Sequence, residues 1–247
     1  MRGKGWLRDP HLAGVALHTN ARTLLGSSDP PDQAMGLLDK APPIWDQGSY
    51  SACVGFAWAR LLSTMVGQHF SPLAVYTLAR CVDRQGTNVP LRDEGSMPHQ
   101  AARAIDEWGV ALGEQWPFIG ARINAEPVLA ELEACEPFQR FRPLRIYGTG
   151  EARSLAVRRA LATGFPVVFG IEVDQRFEDY DGKGVLPYTA GDMGGHYLTI
   201  LGYETTSSGP VFTGHNSWGT SWGDDGAFRF DESFLDGAGD LYIAEVA

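Results

Sequence analysis

Between residues 43 and 140, apolar positions recur at the three- and four-residue steps that are typical of helices packed against a core. The stretch SACVGFAWARLLSTMV predicts a helix over residues 51–66. Two further helices are predicted in SPLAVYTLARCV and SMPHQAARAIDEWGV, because Pro72 and Pro98 suit the first helical turn. The second of these stops at Gly109.

From residue 141 the pattern changes to short β-branched or aromatic runs separated by glycine and acidic turns, which predicts strands. These runs are FPVVFGIEV, HYLTILGYE, PVFTGHNSW, GAFRF and LYIAEVA. One helix, EARSLAVRRALATG, interrupts them and ends at Gly164. The predicted class is therefore α+β, with a helical lobe at about 43–140, a β-rich lobe at about 141–247, and a functional cleft between them.

The first 42 residues precede these lobes as an extension. They contain no long amphipathic helix, and the stretch GSSDPPDQ at 26–33 is predicted to be a flexible joint. We expect the extension to pack on the surface as a strap, to cover part of the cleft, or to act as a short prosegment.

The formal charge of −10 disfavours contact with a phosphate backbone or an anionic bilayer, so neither nucleic acid nor a membrane is expected as a partner. The N-terminus has basic residues, but Asp9, Pro10 and His11 interrupt any apolar run before it reaches signal-peptide length. The expected location is therefore cytoplasmic. Delivery by a route that reads no leader is the alternative. Three cysteines in 247 residues do not indicate a disulfide framework.

Cys53 lies at the predicted start of the first helix, where unpaired backbone N–H groups and the helix dipole favour a thiolate. A cysteine in that place can equally be a small core residue. A nucleophilic thiol needs a base, and His196 follows a glycine pair that is expected to leave its surroundings open. His215 and Asn216 are neighbours on a predicted strand, so only one can face the cleft. We predict that Asn216 does so and orients the His196 ring.

Three blocks, DQGSYSACVGFAWA, GGHYLTILGYE and NSWGTSWGDDGAFRF, resemble the papain-like cysteine peptidases, which have glutamine, cysteine, histidine and asparagine in this order. The resemblance runs from about Pro43 to the C-terminus, and His196 and Asn216 follow Cys53 by 143 and 163 residues. It implies a papain-like two-lobe fold, in which the β-rich lobe is an antiparallel, barrel-like sheet and the active site lies between the lobes.

The resemblance implies that Cys53 is the nucleophile, that His196 is the base that later acts as an acid, and that Asn216 orients His196. Gln47 would offer its side-chain amide, together with the Cys53 backbone N–H, to the oxyanion of the tetrahedral intermediate. The implied reaction is endopeptidase hydrolysis through a thiolate–imidazolium pair and a thioester acyl-enzyme. Peptides or proteins are the expected substrates, and no metal or organic cofactor is required.

Substrate contacts are implied for five residues around the same cleft: Gly95, Ser96, Met97, Trp218 and Trp222. The first tryptophan would shield the histidine–asparagine pair from water, and the second would flank the primed side. The glycine–serine pair falls where the family has a glycine pair that bonds the substrate backbone. The specificity pocket is expected from residues 97–99 and the loop at 181–194. Solvated carboxylates are favoured over a pocket for a basic side chain at three positions: Asp179, Asp181 and Asp192.

The sequence departs from the plant and lysosomal members of the family, which have a cysteine three residues before the nucleophile and a tryptophan directly after it. Tyr50 and Val54 occupy these positions, so the usual disulfide there is impossible. Cys81 and Cys135 are predicted to be reduced, buried thiols of a bacterial- or phage-style member, with a disulfide between them as the alternative.

Three other functions fit the same residues. The first is a different acyl transfer on the same fold, by an aminopeptidase, an isopeptidase or a transpeptidase. The second is a catalytically silent homologue that binds peptides in the groove. The third is a delivered effector or phage-encoded protein whose target is one specific host protein.

Overall fold

The computed structural model describes residues 2–10, 20–82, 84, 89–138, 141–188 and 190–246. Part of the predicted extension, residues 11–19, and one position of the predicted specificity loop, residue 189, lie outside the described residues. The α-helices are α1 (Arg22–Leu25), α2 (Cys53–Val66), α3 (Pro72–Cys81), α4 (Pro98–Trp108), α5 (Leu129–Glu133), α6 (Gly150–Ala162), α7 (Gln175–Glu178) and α8 (Ser233–Gly237). The strands are β1 (Gln33–Ala34), β2 (Phe141–Ile146), β3 (Val167–Glu172), β4 (Gly195–Thr206), β5 (Gly209–His215), β6 (Ala227–Asp231) and β7 (Gly239–Val246).

The helices of the first lobe begin and end at the residues that cap them. α2 begins at Cys53 and ends where Gly67 takes the left-handed conformation, with φ 69°. The Ser71 hydroxyl accepts a hydrogen bond from a backbone N–H in the first turn of α3. α4 begins at Pro98 and stops at Gly109. None of the described helices is both long enough and apolar enough to cross a bilayer.

The strands form one antiparallel sheet in the order β2–β7–β3–β4–β5–β6, and the short strand β1 pairs with β4. The α+β architecture is confirmed, and each of the five β-rich runs of the sequence contains one strand, β3 to β7. The sheet is open, however, and is not the barrel-like sheet that the family resemblance implied. β2 and β6 are the two edges of this sheet: among the described strands, β2 pairs with β7 alone and β6 pairs with β5 alone. No ladder therefore joins the edges into a barrel in the described part of the chain.

Two buried apolar clusters meet along α2. One lies among α2, α3 and α4, and the other lies between the sheet and α6. The Thr199 hydroxyl of β4 donates to the Ala57 carbonyl of α2 at 3.3 Å, and the rings of Trp58 and Tyr242 lie 5.6 Å apart. These contacts bring the first turn of α2 to the beginning of β4.

The stretch at 26–33, predicted to be a flexible joint, is held against the β-rich part of the molecule. The Arg159 guanidinium donates to two of its backbone carbonyls at 2.8 and 2.9 Å, and the Tyr203 hydroxyl donates to the Pro31 carbonyl at 2.5 Å. The next residues pair with β4 as strand β1. Glycine, serine and proline leave the backbone free of regular structure, but here side chains from α6 and β4 hydrogen-bond to it.

Candidate active site

Cys53 is the first residue of α2 and lies where the helices meet the sheet. Its side chain is fully buried. Burial raises the pKa of this thiol, and the backbone N–H of Tyr197, one residue beyond His196 on β4, acts against that effect. The structure therefore brings the sulfur beside the strand that carries the histidine.

The orientation of His196 is fixed on both sides of the ring. Its Nε2 lies 2.7 Å from Oδ1 of Asn216, and a carboxamide oxygen can only accept, so Nε2 carries the proton. The Trp218 ring stacks on the imidazole with centroids 4.5 Å apart, and the Phe177 ring meets it edge-on. Nδ1 has no hydrogen-bond partner among the described residues. The neutral imidazole thus keeps a free lone pair for a proton.

Gln47 ties the turn before α2 to the loop after β5. Its backbone N–H donates to the Ser217 carbonyl at 2.8 Å, and its Oε1 accepts from the Ser217 hydroxyl at 2.6 Å. Nε2 donates to the Tyr50 carbonyl at 2.7 Å. A primary amide has two N–H donors, so one remains for another acceptor beside Cys53.

His215, the neighbour of Asn216, lies away from His196. Its Nδ1 lies 3.2 Å from Nη1 of Arg60, which is buried on α2 and also donates to the Pro42 carbonyl at 2.9 Å. Burial and the charge of Arg60 lower the pKa of His215 to about 3, so the ring is neutral and accepts from the guanidinium. This contact anchors the end of β5, directly before the asparagine.

Residues 2–9, which we name the cleft segment, cross the face of this site. At one end the Gly3 N–H donates to the Gly48 carbonyl at 2.9 Å, and Nε1 of Trp218 donates to the Gly3 carbonyl at 2.9 Å. A Cβ on Gly3 would lie 1.9 Å from the Tyr50 carbonyl oxygen and 2.9 Å from Nε2 of Gln47. The segment therefore lies against the amide that was predicted to hold the oxyanion.

The middle of the cleft segment pairs with both walls of the cleft. Trp6 forms a parallel bridge with Ser96, in which the Ser96 N–H donates to the Gly5 carbonyl at 2.9 Å and the Leu7 N–H donates to the Ser96 carbonyl at 3.1 Å. On the opposite wall, the N–H groups of Gly5 and Trp6 donate to the Gly195 carbonyl at 3.0 and 3.1 Å. Water is therefore excluded from the residue next to His196.

The far end of the cleft segment is anchored by Asp9, whose carboxylate is buried. It accepts from the backbone and ring N–H groups of His99 at 2.9 Å and from the Tyr242 hydroxyl at 2.7 Å, and it pairs with Arg145 at 2.9 Å. Burial acts to raise the pKa of Asp9, but the hydrogen bonds from His99 and Tyr242 lower it overall. The ionised carboxylate is thus the form that this anchor stabilises.

The predicted substrate-binding residues fall into two groups. Ser96 and Trp218 hydrogen-bond to the cleft segment, and Gly95, with φ 93°, lies so close that a Cβ would be 2.3 Å from the Gly5 carbonyl oxygen. Met97 directly follows Ser96 and is the N-cap of α4. The Trp222 ring lies 5.6 Å from that of Trp218, and its indole donates to the backbone of α7 at 3.0 Å. The three aspartates near the 181–194 loop are exposed: Asp179, Asp181 and Asp192.

Burial shifts both members of the candidate dyad away from their charged forms. It raises the pKa of the Cys53 thiol to about 12, against the effect of nearby backbone N–H groups. It lowers the pKa of His196 to about 4, against the effect of the hydrogen bond to Asn216. A thiolate–imidazolium pair needs the opposite shifts, and the open surroundings expected for His196 are not found. Both side chains are fully buried, and the cleft segment is one of the elements that cover this face of the site.

The remaining thiols are not paired. Cys81 and Cys135 are both free, so the alternative of a disulfide between them is wrong. Cys135 is buried as predicted, whereas Cys81 is only half-buried. In the described part of the chain no group of three or more histidine, cysteine or acidic side chains could hold a metal ion.

Several residues of the site were missed in the sequence, namely Trp6, Asp9 and Asp240. Trp6 Nε1 donates to Asp240 at 3.0 Å across a separation of 234 residues. The available signal was local: glycine alternates with long side chains in RGKGW, and alternating glycines permit a backbone to approach another closely.

A helix that begins with a cysteine and packs against a sheet carrying a histidine–asparagine pair is the arrangement of the thiol peptidases. A family model described as papain family cysteine protease matches residues 38–236. The chain belongs to the papain family of cysteine proteases.

Individual relatives are distant. An uncharacterized peptidase C1-like protein of Acanthamoeba polyphaga mimivirus is 24% identical over 204 residues, which cover 77% of this chain and 64% of the relative. A viral cathepsin of Autographa californica nuclear polyhedrosis virus is 24% identical over 201 residues, which cover 79% of this chain and 58% of the relative. The chain therefore spans less than two thirds of the length of these two proteins.

Solved structures share the fold. Xylellain, a cysteine protease from Xylella fastidiosa, aligns with a TM-score of 0.77 at 20% identity, over 100% of this chain and 97% of that chain. The bromelain protease from Ananas comosus aligns with a TM-score of 0.67 at 20% identity, over 88% of this chain and 100% of that chain.

The free energy of unfolding should fall as the pH is lowered from about 6.5 to 4. His196 has a pKa of about 4 in the folded protein, where burial and the charge of Lys4 both lower it, and about 6.5 when unfolded. The unfolded chain therefore binds more protons in this window, and the loss is about 3 kcal/mol. Urea unfolding at several pH values measures it.

His215 adds to the same trend, because its pKa is also lowered. The matched variant His196→Gln keeps His215 and isolates the contribution of His196. An identical pH dependence in the two proteins would mean that the His196 ring is not buried as described.

Proposed function

We propose that the chain is a thiol peptidase that hydrolyses peptide bonds through Cys53 and His196. One observation carries the proposal: the His196 ring is oriented by Asn216 at 2.7 Å and keeps an unpartnered Nδ1 in the place where the Cys53 thiol begins a helix. Family membership supports the same chemistry.

In the first half of the reaction, the thiol proton passes to Nδ1 of His196. The sulfur of Cys53 then attacks the peptide carbonyl carbon, and the π electron pair moves to the oxygen as an oxyanion. The free N–H of the Gln47 amide and the Cys53 backbone N–H are the donors available for that oxyanion. When the C–N bond breaks, the Nδ1 proton goes to the leaving amine, and a thioester remains.

In the second half, His196 takes a proton from water and the hydroxide attacks the thioester carbonyl. The C–S bond breaks, the carboxylic acid leaves, and the proton held on Nδ1 restores the thiol. Asn216 acts throughout as a positioning residue, because its oxygen accepts from Nε2 and leaves Nδ1 facing the reaction. Trp218 and Phe177 exclude water from that hydrogen bond.

We propose further that the cleft segment inhibits this activity in cis. Its backbone occupies hydrogen-bonding positions on Ser96, Gly195 and Trp218, and its Gly3 lies against Gln47. Removing the Trp6 side chain and the Asp9 carboxylate takes away both buried anchors. We name the double variant Trp6→Ala/Asp9→Ala the released variant, and we expect it to expose the dyad.

Gln47→Ala in the released variant should lower kcat for a peptide substrate by about 10² to 10³, because one oxyanion donor is lost. Fluorogenic peptide hydrolysis gives the rate, and mass spectrometry of the quenched reaction detects the acyl-enzyme on Cys53. Gln68→Ala is the matched control, because this exposed glutamine follows the far end of α2, and the change should leave kcat unchanged. An unaltered kcat in Gln47→Ala would remove this amide from the mechanism.

The same assay separates peptide hydrolysis from the other acyl transfers. Peptides with blocked termini are cut by an endopeptidase, whereas an aminopeptidase needs a free amine. A protein that binds these peptides but forms no acyl-enzyme in the released variant would be a silent homologue.

A further inference from the structure

The Trp6 side chain fills a pocket in the wall of the cleft. It is buried to 3% exposure, although it belongs to a segment outside the helices and strands of the fold. A Cβ on Gly5, the residue before it, would lie 2.1 Å from the backbone carbonyl oxygen of Ser51, two residues before Cys53. The backbone N–H of Trp6 itself donates to the carbonyl of Gly195, next to His196, at 3.1 Å. The pocket therefore opens beside the loop that leads into Cys53 and beside the strand that carries His196.

Three glycines make the room for this indole. A Cβ on Gly170 of β3 would lie 2.2 Å from the Trp6 ring, one on Gly195 of β4 would lie 2.9 Å from it, and one on Gly239 of β7 would lie 3.0 Å from it. A real Cβ atom essentially never lies 2.2 Å from a ring atom, so a side chain at Gly170 would displace the indole. The three strands thus present a flat backbone floor on which only a planar side chain lies closely.

The end of the pocket carries one acceptor, the Asp240 carboxylate. Nε1 of Trp6 donates to its Oδ2 at 3.0 Å, and the Asp9 backbone N–H donates to the same oxygen at 2.8 Å. Its other oxygen is paired with Arg145 at 2.6 Å. Arg145 also pairs with Asp9. Once Asp9 has left with the cleft segment, Arg145 balances the charge of Asp240 alone, so the vacated pocket is matched to a neutral hydrogen-bond donor and not to a second cation.

We infer that this pocket selects peptide substrates with a tryptophan side chain, and that Gly170, Gly195, Gly239 and Asp240 are its specificity-determining residues. The inference rests on the proposed peptidase function and names its substrate class. When the cleft segment leaves, the floor and the acceptor are vacated together. A substrate indole at the same position recovers both the stacking on the backbone and the hydrogen bond to Asp240.

Binding is measured first, without catalysis, in the released variant that also carries Cys53→Ala. The probes are four octapeptides with the sequence of residues 2–9, in which position 6 is tryptophan, 1-naphthylalanine, alanine or lysine. Calorimetry should give the tightest binding for tryptophan, about tenfold weaker binding for naphthylalanine, which lacks the N–H, and at least about 30-fold weaker binding for alanine. Equal affinities, or tighter binding of a lysine-substituted peptide, overturn the inference.

The pocket itself is tested by filling it. Gly170→Val in the same background should abolish the preference for tryptophan over alanine, and Gly239→Ala should weaken it. Thermal unfolding establishes that each variant folds, and the milder Gly239→Ala keeps the test valid if Gly170→Val does not. A tryptophan preference that survives in both folded variants places the indole elsewhere and overturns the inference.

Hydrolysis is then followed with a peptide library on the released variant that retains Cys53. Enrichment of tryptophan at one fixed distance from the cut bonds supports the inference. Hydrolysis without that enrichment overturns it and leaves the proposed peptidase function standing. Tryptophan-dependent binding without any hydrolysis supports the pocket and rejects the peptidase function.

Discussion

Replacing Cys53 with alanine in the released variant should lower the rate of peptide hydrolysis by at least about 10⁴-fold, because no other group near His196 can form the thioester. The change removes one buried sulfur atom, so the cost to the free energy of unfolding is about 1 kcal/mol. Fluorogenic peptide hydrolysis and thermal unfolding measure the two effects.

Cys81→Ala provides the matched control for that experiment. It also removes one sulfur, but from the end of α3 and not from the start of α2, and the rate should be unchanged. If Cys53→Ala retains the activity of its parent, the sulfur is not the nucleophile and the proposed function fails.

Opening the cleft segment should invert the order in which the thiols react. In the full chain, Cys53 is fully buried with a pKa of about 12, so iodoacetamide should modify the half-buried Cys81 first. In the released variant the thiol regains water and the approach of His196. A return from about 12 to the ordinary value near 8.5 raises the thiolate fraction at neutral pH by about 10³, and Cys53 should then react first.

Peptide mapping by mass spectrometry after timed alkylation measures both rates in one sample. Leu7→Ala is the control within the cleft segment, because this side chain is 43% exposed and belongs to neither anchor. Its labelling order should match that of the unaltered chain. Slow labelling of Cys53 in a folded released variant would contradict the assignment of Trp6 and Asp9 as the anchors.

Local signals made the helices and the candidate residues predictable. The start of α3 follows from one serine–proline pair, and the end of α4 follows from Gly109. These residues cap the helical turn next to them, so the local sequence is enough to locate it. The roles of His196 and Asn216 came from a resemblance over whole blocks, and the 2.7 Å contact between them agrees with that expectation.

That the extension covers part of the cleft was one of the expectations, but the contacts of the cleft segment were not predictable in the same way. Its hydrogen-bond partners are 45 or more residues away, as between Gly3 and Gly48 or between Trp6 and Asp240, and the local periodicity of a sequence does not report such pairs. The pKa directions of Cys53 and His196 follow from this same burial. Residue type and helix position suggested a thiolate, but exclusion of water decides the charge.

The cleft segment and the cleft belong to one polypeptide. A tethered group of this kind acts at an effective concentration in the millimolar range, so contacts too weak to hold a free peptide still keep the cleft filled. A single backbone cut between Arg8 and Asp9 would separate Trp6 from the Asp9 anchor and end the tether. The detached piece that carries Trp6 would then dilute into the surroundings, and one hydrolytic event would become a lasting change of state.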